Sequence, residues 1–313
     1  MKVDLTNAIY NDQDAARAHL EAQIWPDGPV CPHCHSKDAT ALSGKAHRKG
    51  LYQCNSNECR KQFSATVGTV FERSKIPLHK WVLAAHLMAA SKKGMSAKQI
   101  ERMLGVTYKS AWFMMHRLRE AMGIDSTKAG PLGGDEKIIE ADETYVGGKS
   151  KNVHKGKPVP KKHMVVALVE RHGGARVKHV ADVSGKNVRK ALVTNASRKS
   201  MLMTDDHTYY ERVGKEFYAH QSVNHSKGQY TDPTRFAHTN TVESFFAIMK
   251  RGIIGSFHSV SEQHLQRYAD EFAFRWSTRS ALGIEDAERA SLILKSAKGK
   301  RLTYRPPNEA QDA

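Results

Sequence analysis

The four cysteines constrain this chain most. They fall in two close pairs, Cys31-Pro32-His33-Cys34 and Cys54-Asn55-Ser56-Asn57-Glu58-Cys59, with nineteen residues between the pairs. Two such pairs about 15–20 residues apart are the ligand pattern of a zinc site. Zn²⁺ takes four soft ligands tetrahedrally, and a tight knuckle within each pair presents two thiolates. A segment this short buries too little apolar surface to fold alone, so the metal has to supply folding free energy. The second pair has four intervening residues rather than two, and His33, His35 and His47 stand close enough to replace a cysteine. Tyr52 and Phe63 are available to a small core, and Lys45, Arg48, Lys49, Arg60 and Lys61 make the flanks basic. The expectation is a zinc ribbon over residues 26–72, of a kind that grips either nucleic acid or protein, after a helical leader at 1–25.

Charge narrows the choice of partner. Lys plus Arg total 49 against 32 Asp plus Glu, a formal net charge of +17. A surplus this large favours a polyanion, although a basic surface also serves solubility. No apolar run reaches the roughly 18 residues of a membrane span, and Met1-Lys2-Val3-Asp4-Leu5-Thr6 opens into polar residues rather than a signal sequence. The expectation is a cytoplasmic nucleic-acid-binding protein with no membrane partner.

Residues 73–128 form a helical segment by periodicity. Within it, Ser96 and Gln99 are spaced as a capping box, Gly105 marks a turn, and Thr107 can cap a second helix from Tyr108 to about Glu120. This reads as a helix-turn-helix, with Lys109 and Arg117 facing DNA, or as an ordinary helical hairpin. A break at Ala129-Gly130-Pro131-Leu132-Gly133-Gly134 follows. Beyond it, strands are expected at Ile138–Val146, Met164–Val169, Val177–Val183, Ser200–Thr204 and Phe217–Val223, with helices at Asn187–Asn195, Asn240–Arg251 and Glu262–Arg275. That order predicts a layered α/β domain over 129–290 and a flexible basic and polar tail over 291–313.

The acids of this domain carry the chemistry. Asp142 interrupts an apolar strand, where a charge is costly unless used. Asp205 ends a second strand, with Asp206 as a weaker rival, and Glu243 lies on a helix. Lys250 follows Glu243 by seven residues, close to two helical turns, so both project from one face. Carboxylates from two strands and a helix can hold two Mg²⁺ ions, the arrangement that serves phosphodiester chemistry. Lys250 and Arg251 can hold phosphate. Glu143 is expected on the opposite face of the strand from Asp142, outside a shared site. Lys149, Lys151, Lys155, Lys157, Lys161 and Lys162 form a cationic stretch after the first strand, and His225 and Lys227 lie in a polar loop; each reads as a DNA contact or as a solvated surface loop. Arg275 is positioned in sequence to support the metal site or a phosphate.

The runs Ala141–Lys149, Thr204–Tyr210, Val223–Tyr230 and His238–Ile253, in that order, resemble bacterial insertion-sequence transposases of the DDE superfamily. More narrowly, the chain is similar to the subgroup with an N-terminal zinc ribbon. The resemblance implies a ribonuclease-H-like fold and Mg²⁺-dependent cleavage of transposon-end DNA, followed by transfer of the 3′-OH into target DNA. It maps the catalytic acids onto Asp142, Asp205 and Glu243 and the following lysine onto Lys250, with Asn240 competing with Glu243 as third metal ligand. It also implies a homo-oligomer on double-stranded DNA, associated with the bacterial nucleoid. Two other functions fit the same features: a ribbon and helix-turn-helix regulator with an inactive catalytic domain, and a ribonuclease-H-like nuclease.

Overall fold

A computed structural model describes residues 4–124, 129–147, 161–182, 184–224, 231 and 236–303. The chain divides into two compact units. One comprises Met1–Met122 and the segment from Ile284 onward; the other is Gly123–Gly283.

In the first unit, α1 (Gln13–Ile24) starts where the Asp12 side chain accepts hydrogen bonds from the backbone of Asp14 and Ala15. It leads into Trp25, which meets Tyr52 and Phe63 edge-on, while those two rings stack. Tyr52 sits on β2 (Leu51–Cys54), between β1 (Ala39–Leu42) and β3 (Gln62–Phe63) in an antiparallel sheet. The leader is therefore part of the ribbon's core, which the sequence boundary at residue 25 had separated. Three helices follow: α2 (Leu78–Ala90), α3 (Ala97–Leu104) and α4 (Tyr108–Met122). Ser96 caps α3 by accepting from the Gln99 N–H, and Gly105 ends it in the left-handed region at φ 58°, a conformation costly for residues with a Cβ.

The second unit holds a five-stranded sheet in the order β6-β5-β4-β7-β8. The strands β4 (Ile138–Val146), β5 (His163–Glu170) and β6 (Ala175–Val180) form an antiparallel run, β4 pairing with β5 and β5 with β6. In contrast, β7 (Met201–Asp205) is parallel to β4, and β8 (Ala219–Val223) is parallel to β7. On one face, α7 (Asn240–Gly252) and α8 (Glu262–Ser277) cover Val165, Ala167, Val169 and Val177. On the other, α5 (Gly185–Asn195) and α6 (Thr208–Gly214) cover Ile139, Ala141, Val166 and Leu168. Burial on both faces explains why β5 reads as an unbroken apolar run.

The end of the chain differs from the expectation. α9 (Asp286–Lys295) is a regular helix of the first unit, packed against α2. Its buried Arg289 donates to the Ala89 carbonyl at 2.9 Å. A catalytic domain reaching 290 and a loose tail from 291 do not describe this segment. No helix among the described residues is long and apolar enough to cross a membrane.

Candidate active site and metal centres

The acidic site is made by two parallel strands that part company. β4 and β7 pair through Ile138–Met201, Ile139–Leu202 and Glu140–Met203, and there the ladder stops. Two residues further on, Asp142 and Asp205 stand level across the opening. Oxygens of Asp142, Glu143 and Asp205 all lie within 4.8 Å of one another. Glu143 thus joins the site from which strand alternation excluded it. Alternation does send its side chain toward the α6 face, where Tyr209 and Tyr210 donate to its carboxylate, the latter at 2.7 Å. But the β4–β7 pairing ends at Glu140–Met203, and the longer glutamate arm brings an oxygen within 4.8 Å of those of Asp142 and Asp205. Asp142 accepts from the Glu143 backbone N–H at 2.7 Å.

The electrostatics follow from this crowding. Burial, and then the Glu143 charge, push the Asp142 carboxyl up to about 7. Burial first, with Glu143 among the further causes, also raises Asp205. Burial and Glu143 raise both tyrosine hydroxyls, so they remain protonated donors. Like-charged carboxylates held this closely favour either a proton or a cation between them. An all-oxygen set of this kind suits Mg²⁺.

A second buried acid on β4 positions α7. Glu140 is fully buried and accepts from the backbone N–H groups of Thr241 (2.7 Å) and Val242 (3.0 Å) and from the Thr241 hydroxyl (2.8 Å). Arg171 Nε donates to it at 2.6 Å, and His238 Nδ1 lies 3.1 Å away. Arg171 also donates to the carbonyls of Phe236 and His238. A carboxylate thereby meets the unsatisfied N–H groups and positive dipole end of α7.

The first turn of α7 presents Asn240 and Glu243, both exposed. Glu243 Oε1 accepts from the Thr239 hydroxyl at 2.9 Å. Its charge contributes to raising Asp142, but it lies outside the close trio. Lys250 and Arg251 are exposed in the last turn, and Arg251 Nε donates to the Ala247 carbonyl.

The other expected contact residues divide. Lys109 is exposed at the start of α4. Arg117 is not a free DNA contact: it is half-buried, donates to the carbonyls of Glu72 (3.0 Å) and Leu302 (3.1 Å), and lies over the Phe113 ring. Packing of the chain's late segment onto α4 accounts for this, and it could not be read from local periodicity. Arg275 is buried and pairs with Glu271 on its own helix at 2.6 Å, which removes it from a direct role at the acids. Lys149, Lys151, Lys155, Lys157, His225 and Lys227 lie outside the described residues.

Glu140, Glu143, Tyr209 and Tyr210 were missed in the sequence. For Glu140 a signal existed: it interrupts Ile139 and Ala141 just as Asp142 interrupts its own surroundings, and the same cost argument applies.

In the ribbon, all four cysteines are free thiols with sulfurs within 4.8 Å of one another. Cys34 and Cys54 sulfurs are 3.5 Å apart, and those of Cys31 and Cys59 are 3.8 Å apart. A tetrahedron of 2.3 Å zinc–sulfur bonds has edges of about 3.8 Å, so the residues fit zinc. Each knuckle ends in a left-handed residue, His35 (φ 63°) and Arg60 (φ 49°). His33, His35 and His47 are exposed, outside the cluster.

Comparison with known proteins finds a family match for each region. Residues 131–277 match the ISXO2-like transposase domain, and residues 11–62 match the transposase zinc-ribbon domain. The second match begins within the leader, in keeping with Trp25 in the ribbon core. A relative from Halobacterium salinarum, described as an uncharacterized protein in transposable element ISH50, is 25% identical over 275 residues, 82% of this chain and 89% of its own. With both domains matched in this order, the chain belongs to the DDE-superfamily insertion-sequence transposases that carry an N-terminal zinc ribbon.

Proposed function

We propose that the protein is an active transposase, catalysing Mg²⁺-dependent cleavage at transposon ends and transfer of the 3′-OH into target DNA. The observation that carries this is the level placement of Asp142 and Asp205 at the opening between β4 and β7. The strand order, three antiparallel strands followed by two parallel ones, supports a ribonuclease-H-like fold. Asp142 and Asp205 would hold two Mg²⁺ ions, with Glu243 completing the set and Asn240 as its alternative. Such ions activate the attacking oxygen and stabilise the leaving one.

The chain's own groups do the rest. Tyr209 and Tyr210 orient Glu143 beside the pair, and the Glu140 clamp sets where α7 begins. Lys250 and Arg251, exposed on the same helix, bind backbone phosphate as cations. Lys109 and the lysines Lys149, Lys151 and Lys155, with His225 and Lys227, are further contacts to double-stranded DNA in this reading. The ribbon takes structural Zn²⁺ on Cys31, Cys34, Cys54 and Cys59. Joining two ends calls for at least two subunits assembled on DNA.

The test is nicking and strand transfer on DNA carrying the element's ends, with and without Mg²⁺. Asp142→Asn and Asp205→Asn should each retain DNA binding and lower cleavage at least about a hundredfold, a typical cost of removing electrostatic stabilisation at a reacting phosphate. Cleavage at the wild-type rate by both variants would overturn the assignment. Products separate it from a nuclease: joined strands support transposition, hydrolysis alone a nuclease.

A further inference from the structure

We infer that the second unit carries another transition-metal site, formed by His163, His179 and Glu262 and separate from both the ribbon and the acidic trio. One ligand atom from each of these side chains lies within 4.8 Å of the other two. Three elements deliver them: His163 opens β5, His179 lies near the end of β6, and Glu262 begins α8. Val165 pairs with His179 across the antiparallel β5–β6 ladder, so His163, two residues before Val165, shares its face. That is the face α8 covers. The placement is therefore set by sheet register and helix packing, not by mobile side chains alone.

An independent observation points to a ligand. His163 Nδ1 is buried and makes no hydrogen bond. A Glu262 oxygen lies 3.6 Å from it, too far for a hydrogen bond. Two ligands on one tetrahedral ion with bonds of about 2.0–2.1 Å stand about 3.4 Å apart. The His163 and His179 rings meet edge-on with centroids 6.0 Å apart, and each brings a ring nitrogen within 4.8 Å of the other ligand atoms. Lys161 Nζ contacts both Glu262 oxygens, at 3.3 and 3.2 Å. Its side chain is 71% exposed, so this ammonium is a displaceable competitor for the carboxylate.

The donor set names the ion class. Two imidazoles and a carboxylate suit Zn²⁺ and its neighbours such as Co²⁺, whereas Mg²⁺ prefers oxygen throughout. Three protein ligands leave one position for water. The ion would tie the edge strand β6 and the start of β5 to the first turn of α8, beside Lys161 and Lys162, the described end of the lysine-rich stretch.

The test is calorimetric titration with Zn²⁺ of full-length protein that already carries its ribbon metal. Asp142→Asn and Asp205→Asn are included to remove the acidic pair from the measurement. One further Zn²⁺ per chain is expected. His179→Ala and His163→Gln should each weaken it by at least the about tenfold that even outer-shell changes cost, and Lys161→Ala should tighten it. Thermal unfolding without added metal checks that the variants fold. Should the histidine variants not fold, Glu262→Gln, at an exposed position, gives the same reading. No additional ion, or an ion whose affinity is the same in the ligand variants, overturns the proposal. Neither result bears on DNA cleavage.

Discussion

Asp142 and Glu140 lie two residues apart on one strand, yet their surroundings oppose each other. Glu140 faces a guanidinium, an imidazole and two backbone N–H groups. Asp142 faces Glu143, Asp205 and Glu243. Without a cation, Asp142 is held at about 7, whereas in an unfolded chain it titrates near 3.9 as a free aspartate. Between these values the folded chain keeps a proton that the unfolded chain has lost. The associated stability is fully present below about pH 4 and is lost as pH rises through 7. Asp142→Asn removes this dependence. In Mg²⁺-free buffer the variant should therefore gain stability over wild type as pH rises from 5 to 8, by at most about 1.4 kcal/mol per pH unit. If the acids hold Mg²⁺ as proposed, added Mg²⁺ should shrink the advantage, because ligand binding stabilises the wild-type fold more than that of the variant. Urea midpoints across that range would show it; a difference flat in pH would contradict the charge crowding.

At the scale of elements, the decisive contact is between β4 and the start of α7. Glu140 satisfies two α7 N–H groups that no residue of the helix can satisfy, and Arg171 ties the approach at Phe236 and His238 to the same carboxylate. Glu140→Ala would leave the Arg171 charge and the helix end unpaired. Breaking a buried pair from one side costs about 3–5 kcal/mol, so the unfolding free energy from urea titration should fall by that amount, with a lower midpoint at unchanged slope; a loss under about 1 kcal/mol would show that the clamp is dispensable. Such a contact spans 101 residues of sequence, and no local pattern announces it. The strands themselves were legible, because β4 and β5 are long and apolar with a misplaced acid, and α3 and α4 were legible because Ser96 and Gly105 mark their ends. α6 was not: seven residues from Thr208 to Gly214 are too few for a periodic signal. Glu143 shows the subtler limit. Alternation correctly gave its direction, but where β7 stops pairing with β4 is a property of the whole sheet.

For the molecule as a whole, the chain's order is not the order of its units. After Gly283 it returns to the first unit, where α9 buries Ala290, Ile293 and Leu294 against a partner helix, α2, that is itself almost wholly apolar. Each fully buried aliphatic side chain contributes roughly 1.5–3 kcal/mol, and Arg289 adds a bond to the Ala89 carbonyl. Ending the chain at Gly283 should therefore destabilise the first unit by several such increments while leaving the sheet of the second intact, since that unit holds its own apolar cores. The ribbon and its neighbouring helices should become protease-sensitive, and the α2 surface should bind a hydrophobic dye. The second unit, expressed as residues 123–283, should still unfold cooperatively. Equal protease resistance of the truncated and full chains would mean that α9 is peripheral, and that the sequence boundary near residue 290 had been the physical one.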